Sequence, residues 1–276
     1  MSTSEAVTYR PNVLGGLDHT TKLRWKHGFD AYRVADDEMG GGSTLGSPSC
    51  QMVLKATGAI EKVFCVDAGC VLLKNFVVKH WDDRSRMKLD PLSGHFSMYP
   101  EHQEHRYMLT NGVQVQEDVF VLSRGPQDDG SVDPPLVYYA MAFTNQTREE
   151  QSIATYAFVQ LSKGFKDELV VAYDPQLRAL IAHSKDDEQQ ARIVGASRKP
   201  DDYEVSLDHG KAVTAEHPGS LSGNTDAPTG FAMGVLHYAT VVGPGETQRL
   251  DFRLGVSAAG VDDVKKNYRG ASSADA

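Results

Sequence analysis

The apolar positions of this chain recur mostly with a period of two. From residue 50 onward, short runs of β-branched and aromatic residues alternate with polar ones and are broken by Gly, Pro, Asn, Asp and Ser. That is the pattern of half-buried strands joined by turns. Strands are expected at 50–56, 60–67, 70–80, 87–90, 105–109, 113–122, 136–145, 151–161, 169–174, 179–183, 190–195, 203–205, 233–242 and 247–255. In "LTNGVQVQEDVFVL", Asn111 and Gly112 sit between two such runs, which predicts a type I′ hairpin turn. Val113, Val115, Val119 and Val121 alternate with polar residues except near Glu117-Asp118, so a bulge or bend is expected there. In "PLVYYAMAFTNQTREEQSIATYAFVQL", Val137, Tyr139, Met141 and Phe143 alternate on one run, and Ile153, Thr155, Ala157 and Val159 on the next. This reads as a long antiparallel hairpin. Asn145-Gln146-Thr147 formally matches a glycosylation acceptor and reads as its turn.

Outside this region the pattern weakens. Residues 1–48 read as an irregular extension and linker, rich in Gly, Ser and Pro toward the end. Within it "KLRWKHGFDAYRV" fits either a short strand pair or a helix, and Trp25 is expected to pack the segment onto the main domain. The loop at about 216–230 fits either a disordered segment or one placed at a site. Only "AGVDDVKKNYRG" reads as a helix, with Asp262 and Asp263 near its start and Lys265, Lys266 and Arg269 toward its end, the order its dipole favours. The expected fold is all-β: a large antiparallel supersandwich of two packed sheets over 49–260, followed by a short helix and frayed tail at 261–276.

Composition narrows the function classes. The 276 residues are 40% hydrophobic, enough for a sizeable core. No apolar run is long enough to span a membrane, and "MSTSEAVTYRPN" lacks the features of a secretory signal, so a cytoplasmic protein without membrane partners is expected. The net charge of −9 with scattered Lys and Arg gives no nucleic-acid footprint. Neutral partners such as sugars stay open. Cys50, Cys65 and Cys70 make neither a disulfide framework nor a four-thiolate zinc site. Cys65 and Cys70 are close enough in sequence to pair, although their apolar surroundings suit buried thiols. "GGG" at 40–42 is not followed by a Walker lysine.

Taken in order, "GAIEKVF", "YYAMAFTNQTREEQSIATYAFVQL" and "VGPGETQRLDFRLGVSAAGVDDVKKNY" resemble the N-terminal β-supersandwich, galactose mutarotase-like domain of glucoamylase-like glycoside hydrolases and cellobiose-phosphorylase-like enzymes. The resemblance covers residues 49–270. It implies that "LDFRLG" is the last strand and that the following helix leads toward an (α/α)6 catalytic barrel. That barrel carries the family's catalytic carboxylates and has no counterpart after residue 270, so the resemblance transfers no catalytic residue. It implies a carbohydrate-related domain with a separate (α/α)6 domain as partner.

Candidate chemistry follows from residue types. A pyranose is recognised by flat aromatic faces and planar polar groups. Trp81 with Asp82, Asp83 and Arg84 supplies both, and Tyr99, His102 and His105 are placed to join them. Alternatively Trp81 caps the core while the charges solvate a turn. His102, Glu104 and His105 do not have the spacing of H-E-x-x-H, and a solvated loop is expected there. No metal and no cofactor are expected. A mutarotase-like epimerase needs an acid and a base at the anomeric centre; His80, His95, His102 and His105 are candidate acids, and Glu101, Glu104 and Glu117 candidate bases. The Asp-Asp pairs at 36, 82, 128, 186, 201 and 262 are expected in turns, because adjacent strand residues point apart. The sequence thus favours a noncatalytic accessory or recognition domain for an oligosaccharide or glucan, with a sugar epimerase and a self-assembling structural sandwich as alternatives.

Overall fold

A period of two puts one apolar face on each strand, and that face leaves water when two sheets close over it. The computed structural model describes residues 7–9, 20–24, 30–36, 42–55, 57–92, 94–99, 102–122, 135–226 and 229–272. Among these, one antiparallel sheet has eleven strands in the order β1 (Val7–Tyr9), β2 (Thr20–Arg24), β3 (Asp30–Ala35), β8 (His95–Met98), β9 (His102–Met108), β10 (Val113–Val121), β11 (Leu136–Asn145), β18 (Thr247–Ser257), β15 (Asp187–Ala196), β14 (Ala179–Ser184) and β13 (Leu169–Asp174). The other has seven, in the order β16 (Asp202–Ser206), β17 (Met233–Val242), β12 (Gln151–Gln160), β7 (Cys70–Asp82), β6 (Ile60–Cys65), β5 (Cys50–Leu54) and β4 (Ser43–Gly46). The all-β sandwich expected from the sequence is the observed architecture. Trp25 and Glu101 lie outside the described residues.

Between the sheets, Met52, Phe76, Val115, Tyr139, Phe143, Leu236 and Phe252 belong to one buried cluster. Phe76 meets Tyr139 and Phe252 edge-on at 5.3 and 5.4 Å. Two smaller clusters cover outer faces. On the larger sheet, Val264 and Tyr268 of α2 (Val261–Ser272) pack on Leu136, Tyr138 and Ile193. The helix therefore docks on the sandwich, with Asp262 and Asp263 in its first turn and Arg269 in its last. Gly195 permits the approach, since a Cβ there would stand 2.5 Å from the Tyr268 hydroxyl. On the smaller sheet, Trp81, Tyr156 and Phe158 are covered by Leu221 of the loop after α1 (Gly210–Val213). The three cysteines are free thiols, and burial raises the pKa of Cys50 to about 12.

Several expectations are corrected. β11 and β12 do not pair: β11 lies between β10 and β18, whereas β12 lies between β17 and β7. Their alternating apolar faces point at each other across the core, so the connection is an arch between sheets. The turn at Asn111-Gly112 is not type I′. Gly112 alone has positive φ (+82°), and its N–H donates to Leu109 O at 2.9 Å, a type I turn closed by a left-handed glycine. β10 has no bulge, because its register runs unbroken from Val113 to Val121 with Glu117 in the buried phase. Residues 87–90 make only the isolated bridge Trp81↔Lys88. The stretch 1–48 contains β1 to β4, and "KLRWKHGFDAYRV" contributes to the antiparallel pair β2 and β3. Their short polar runs lack the alternation that marks the later strands. β8 is not among the expected strands, and the strand expected at 105–109 is observed but begins earlier, at His102, in a stretch expected to be a loop.

The arch is held by Asn145, 1% exposed. Its amide donates to Glu149 O at 2.8 Å and Val242 O at 2.9 Å, and its Oδ1 accepts from Thr147 N–H at 2.8 Å. Replacing it with alanine removes these three bonds, one of them to the carbonyl of buried Val242. Asn145→Ala is expected to cost about 2–4 kcal/mol, read as a lower urea midpoint at unchanged slope.

Candidate functional site

Alternation also places polar side chains in the interior. On β10 the inward set Val113, Val115, Glu117, Val119 and Val121 contains one carboxylate, and Glu117 is 4% exposed. Its register partner on β9 is His105, with Tyr107 two residues further on the same face; on β11, Tyr139 shares that face. All converge on Glu117. The Tyr107 hydroxyl donates to its Oε1 at 2.7 Å, His105 Nδ1 lies 3.0 Å from its Oε2, and Tyr139 lies close enough for the carboxylate to raise its pKa. On the other ring nitrogen, His105 Nε2 stands 3.2 Å from Asp36 Oδ1, an ion-pair contact off the hydrogen-bond axis. Phe96 stacks on the imidazole at 3.9 Å. Gly58, with φ +81°, lays the main chain against the pair, since a Cβ there would stand 2.9 Å from Glu117 Oε2 and 3.0 Å from His105 Nδ1.

The smaller sheet supplies the other end. His80 of β7 contacts Thr155 Oγ1 through Nδ1 at 3.1 Å and the Tyr107 hydroxyl through Nε2 at 3.4 Å. Because that hydroxyl donates to Glu117, it accepts from His80 Nε2–H, leaving Nδ1 to accept from Thr155. A continuous polar chain thus runs from Thr155 through His80, Tyr107, Glu117 and His105 to Asp36. It borders a cavity of about 280 Å³ lined by His80, His105, Tyr107, Glu117, Tyr139 and Leu89, with Thr57, Lys88 and Pro91 at its exposed side.

The two imidazoles are tuned apart. Burial alone would lower the His105 pKa, but Asp36 and Glu117 overcome it and raise the value to about 9. His80 is lowered to about 4 by burial, which the more distant Glu117 only partly offsets. Near neutral pH, His105 is an imidazolium and His80 a neutral imidazole. Burial, then Glu117, holds the hydroxyls of Tyr107 and Tyr139 well above the ordinary tyrosine pKa. The site therefore offers hydroxyl and imidazole hydrogen-bonding groups around one carboxylate.

The residues singled out from sequence fall on three surfaces. His105 is inside the sandwich. Tyr99 and His102 stack on each other at 4.3 Å away from it, His102 being in the opposite strand phase to His105. Trp81 lies on the outer face of the smaller sheet, 0% exposed, in T-shaped contact with Tyr156 and His217. The expectation that Trp81 offers a sugar-stacking face is corrected, because both of its faces are covered. Asp82 caps a turn by accepting from Ser85 N–H at 2.6 Å, Asp83 is exposed, and Arg84 pairs with Glu150 at 2.7 Å on the surface. Glu104 is outward-facing and paired with Arg106, and His95 lies in the outward phase of β8. Sequence reasoning missed Asp36, Tyr107 and Tyr139. The available signal was phase: a carboxylate in register with four inward valines, and a tyrosine in register with Met141 and Phe143. Among the described residues there is no group of three or more metal-ligating side chains and no helix long and apolar enough to cross a membrane.

No family model matches the chain, and no curated protein matches its sequence. Solved structures do match its fold. A protein assigned as a kojibiose phosphorylase from the human microbiome superposes with a TM-score of 0.52 at 8% identity, over 87% of this chain and 35% of its own. A bacterial glucoamylase complexed with acarbose superposes with a TM-score of 0.50 at 9% identity, over 84% of this chain and 36% of its own. The chain spans about a third of the length of each. The shared feature is the two-sheet β-sandwich fold.

The imidazoles give stability opposite pH limbs. The folded pKa of His105 lies above its unfolded value of 6.5, so its contribution is complete below about 6.5 and is lost as pH rises through about 9. At about 1.4 kcal/mol per pH unit, this amounts to about 3 kcal/mol. The folded pKa of His80 lies below 6.5, so its contribution is complete above about 6.5 and is lost as pH falls through about 4. Urea midpoints across this range are expected to peak near pH 6.5. His80→Gln flattens the acid limb, and Glu117→Gln shrinks the alkaline one.

Proposed function

We propose that this chain is a carbohydrate-recognition domain that binds one sugar ring in the interior cavity, as a noncatalytic accessory to a separate catalytic domain of the (α/α)6 type. The observation that carries this reading is the convergence of His80, His105, Tyr107, Glu117 and Tyr139 on a cavity of about 280 Å³. A few placed polar groups in an otherwise apolar cleft are what a small polyhydroxylated ligand needs, and a volume just below the usual range for larger ligands suits a monosaccharide or the terminal ring of an oligosaccharide. The accessory role is supported by the fold shared with two much longer proteins, a phosphorylase and a glucoamylase by name, of which this chain matches about a third.

A second reading, a mutarotase-like epimerase, is favoured by one observation: His105 and Glu117 are an acid and a carboxylate in the same cavity. Their geometry supports binding more than proton transfer. Anomer interconversion needs an acid and a base acting on different sugar oxygens, whereas these two face each other at 3.0 Å. His80, neutral near pH 7, carries no proton to spare beyond the one it gives to Tyr107.

Calorimetric titration with D-glucose, D-galactose, maltose and cellobiose, beside polarimetry of fresh α-D-glucose and α-D-galactose, separates the readings. Monosaccharide binding weakened about tenfold by Tyr139→Phe, equivalent to one lost hydrogen bond of about 1.4 kcal/mol, with anomerisation at the buffer rate, is the expected result. Absence of binding by every sugar overturns the recognition reading. Anomerisation above the buffer rate that disappears in Glu117→Gln replaces it with the epimerase.

A further inference from the structure

The outer face of the smaller sheet carries a second group of histidines. Residues 207–226 cross it as a loop, tied to β16 by Leu221 N–H donating to Asp202 Oδ2 at 2.9 Å and Ser222 N–H donating to Glu204 Oε2 at 3.0 Å. Midway, His217 sits edge-on to Trp81 at 5.9 Å and to Tyr156 at 5.4 Å. Its Nδ1 accepts from the Gly219 N–H at 3.0 Å, and its Nε2 lies 3.5 Å from the Tyr156 hydroxyl, which donates to Gly219 O at 3.4 Å.

This geometry fixes the protonation state. A backbone N–H only donates, so Nδ1 must present a lone pair, and the single ring proton belongs on Nε2. A second proton on Nδ1 would point at the Gly219 N–H and abolish that bond. We propose that His217 is an acid-released latch: its protonation at Nδ1 breaks the 217–219 turn, withdraws the imidazole from Trp81 and Tyr156, and frees the loop from the aromatic face beneath it.

The charged and titratable groups around the ring bear on this switch. Asp83 and Arg86 approach from the turn after β7, Tyr156 from β12, His237 from β17 and Asp202 from β16, while Lys79 of β7 donates to Thr214 O and Glu216 neighbours His217 on the loop. His237 stacks on Tyr156 at 4.4 Å. Burial, then Arg86 and His237, lowers the His217 pKa, and Asp83 opposes them. The closed loop is therefore favoured above about pH 6.5, the ordinary histidine value, and loses that support as pH falls. Opening also has compensation on the sheet. Trp81 Nε1 and His237 Nε2 are buried without partners, and both gain water when the loop leaves.

Hydrogen exchange on the intact chain at about pH 7.5 and about pH 5, compared as protection factors, tests the latch. In the unmodified protein, protection at Gly219 and Leu221 is expected to be lost at the lower pH, the direction that a lowered folded-state pKa requires, while the central amides of β12 and β17 stay protected. In His217→Asn, the side-chain Oδ1 takes the Gly219 N–H and does not titrate, so protection at Gly219 persists at both pH values. Unchanged protection in the unmodified protein overturns the latch, as does an equal loss in His217→Asn.

Discussion

A carboxylate on an inward strand position has no water to solvate it, and the centre of this sandwich is arranged around that fact. Glu117 occupies a place that the alternation of β10 reserves for valine. Burying it is tolerable only because donors come to it from the neighbouring strand of the larger sheet, His105 and Tyr107 of β9, with Tyr139 of β11 beside them. Each donor is then constrained by its own second contact. His105 turns its other nitrogen to Asp36, and Tyr107 accepts from His80 of the opposite sheet. The interior chain therefore does what an apolar core does not: it fixes register and the relative placement of the two sheets, since a slip of β10 by one residue would move Glu117 to the outer face and leave its donors behind.

The same constraint makes the cavity. Tyrosines and histidines aimed at one carboxylate do not fill space as interdigitating aliphatics do. The void beside them is lined by polar groups already oriented by one another. A ligand entering it would meet preset hydrogen-bond directions, so little ordering cost would remain at the moment of binding.

Much of the fold was legible because β propensity and period two agree from residue 50 onward, as in β10, β11, β12, β17 and β18. Where they disagreed, reading failed for physical reasons. β11 and β12 looked like a hairpin because alternation specifies which face is buried and says nothing about which neighbour supplies the hydrogen bonds. Glu117 looked like a bulge because a charge in an apolar phase is usually expelled; here it is the best pointer to the candidate site, and three contacts in the folded core are its explanation. Trp81 beside charged neighbours fits both a sugar platform and a core cap, and its sequence surroundings do not separate them. In the structure Asp83 is exposed while the indole is buried in contacts with Tyr156 and His217 that lie far away in sequence. Asp36 is invisible to any local reading, because its partner is 69 residues away across the end of β3.

Histidine shows most directly how environment, and not residue type, assigns the chemistry. His105 is buried with carboxylates on both nitrogens and holds its charge. His80, equally deep, has a hydroxyl on each nitrogen and is held neutral. His217 is held neutral by a backbone N–H that tolerates only a lone pair. A single backbone donor is a weaker lock than two carboxylates, and it sits at the surface, where water can replace whatever the loop gives up. Any response of this molecule to mild acid should therefore begin at the outer face of the smaller sheet, while the interior chain, whose neutral histidine titrates only near pH 4, still holds the two sheets together.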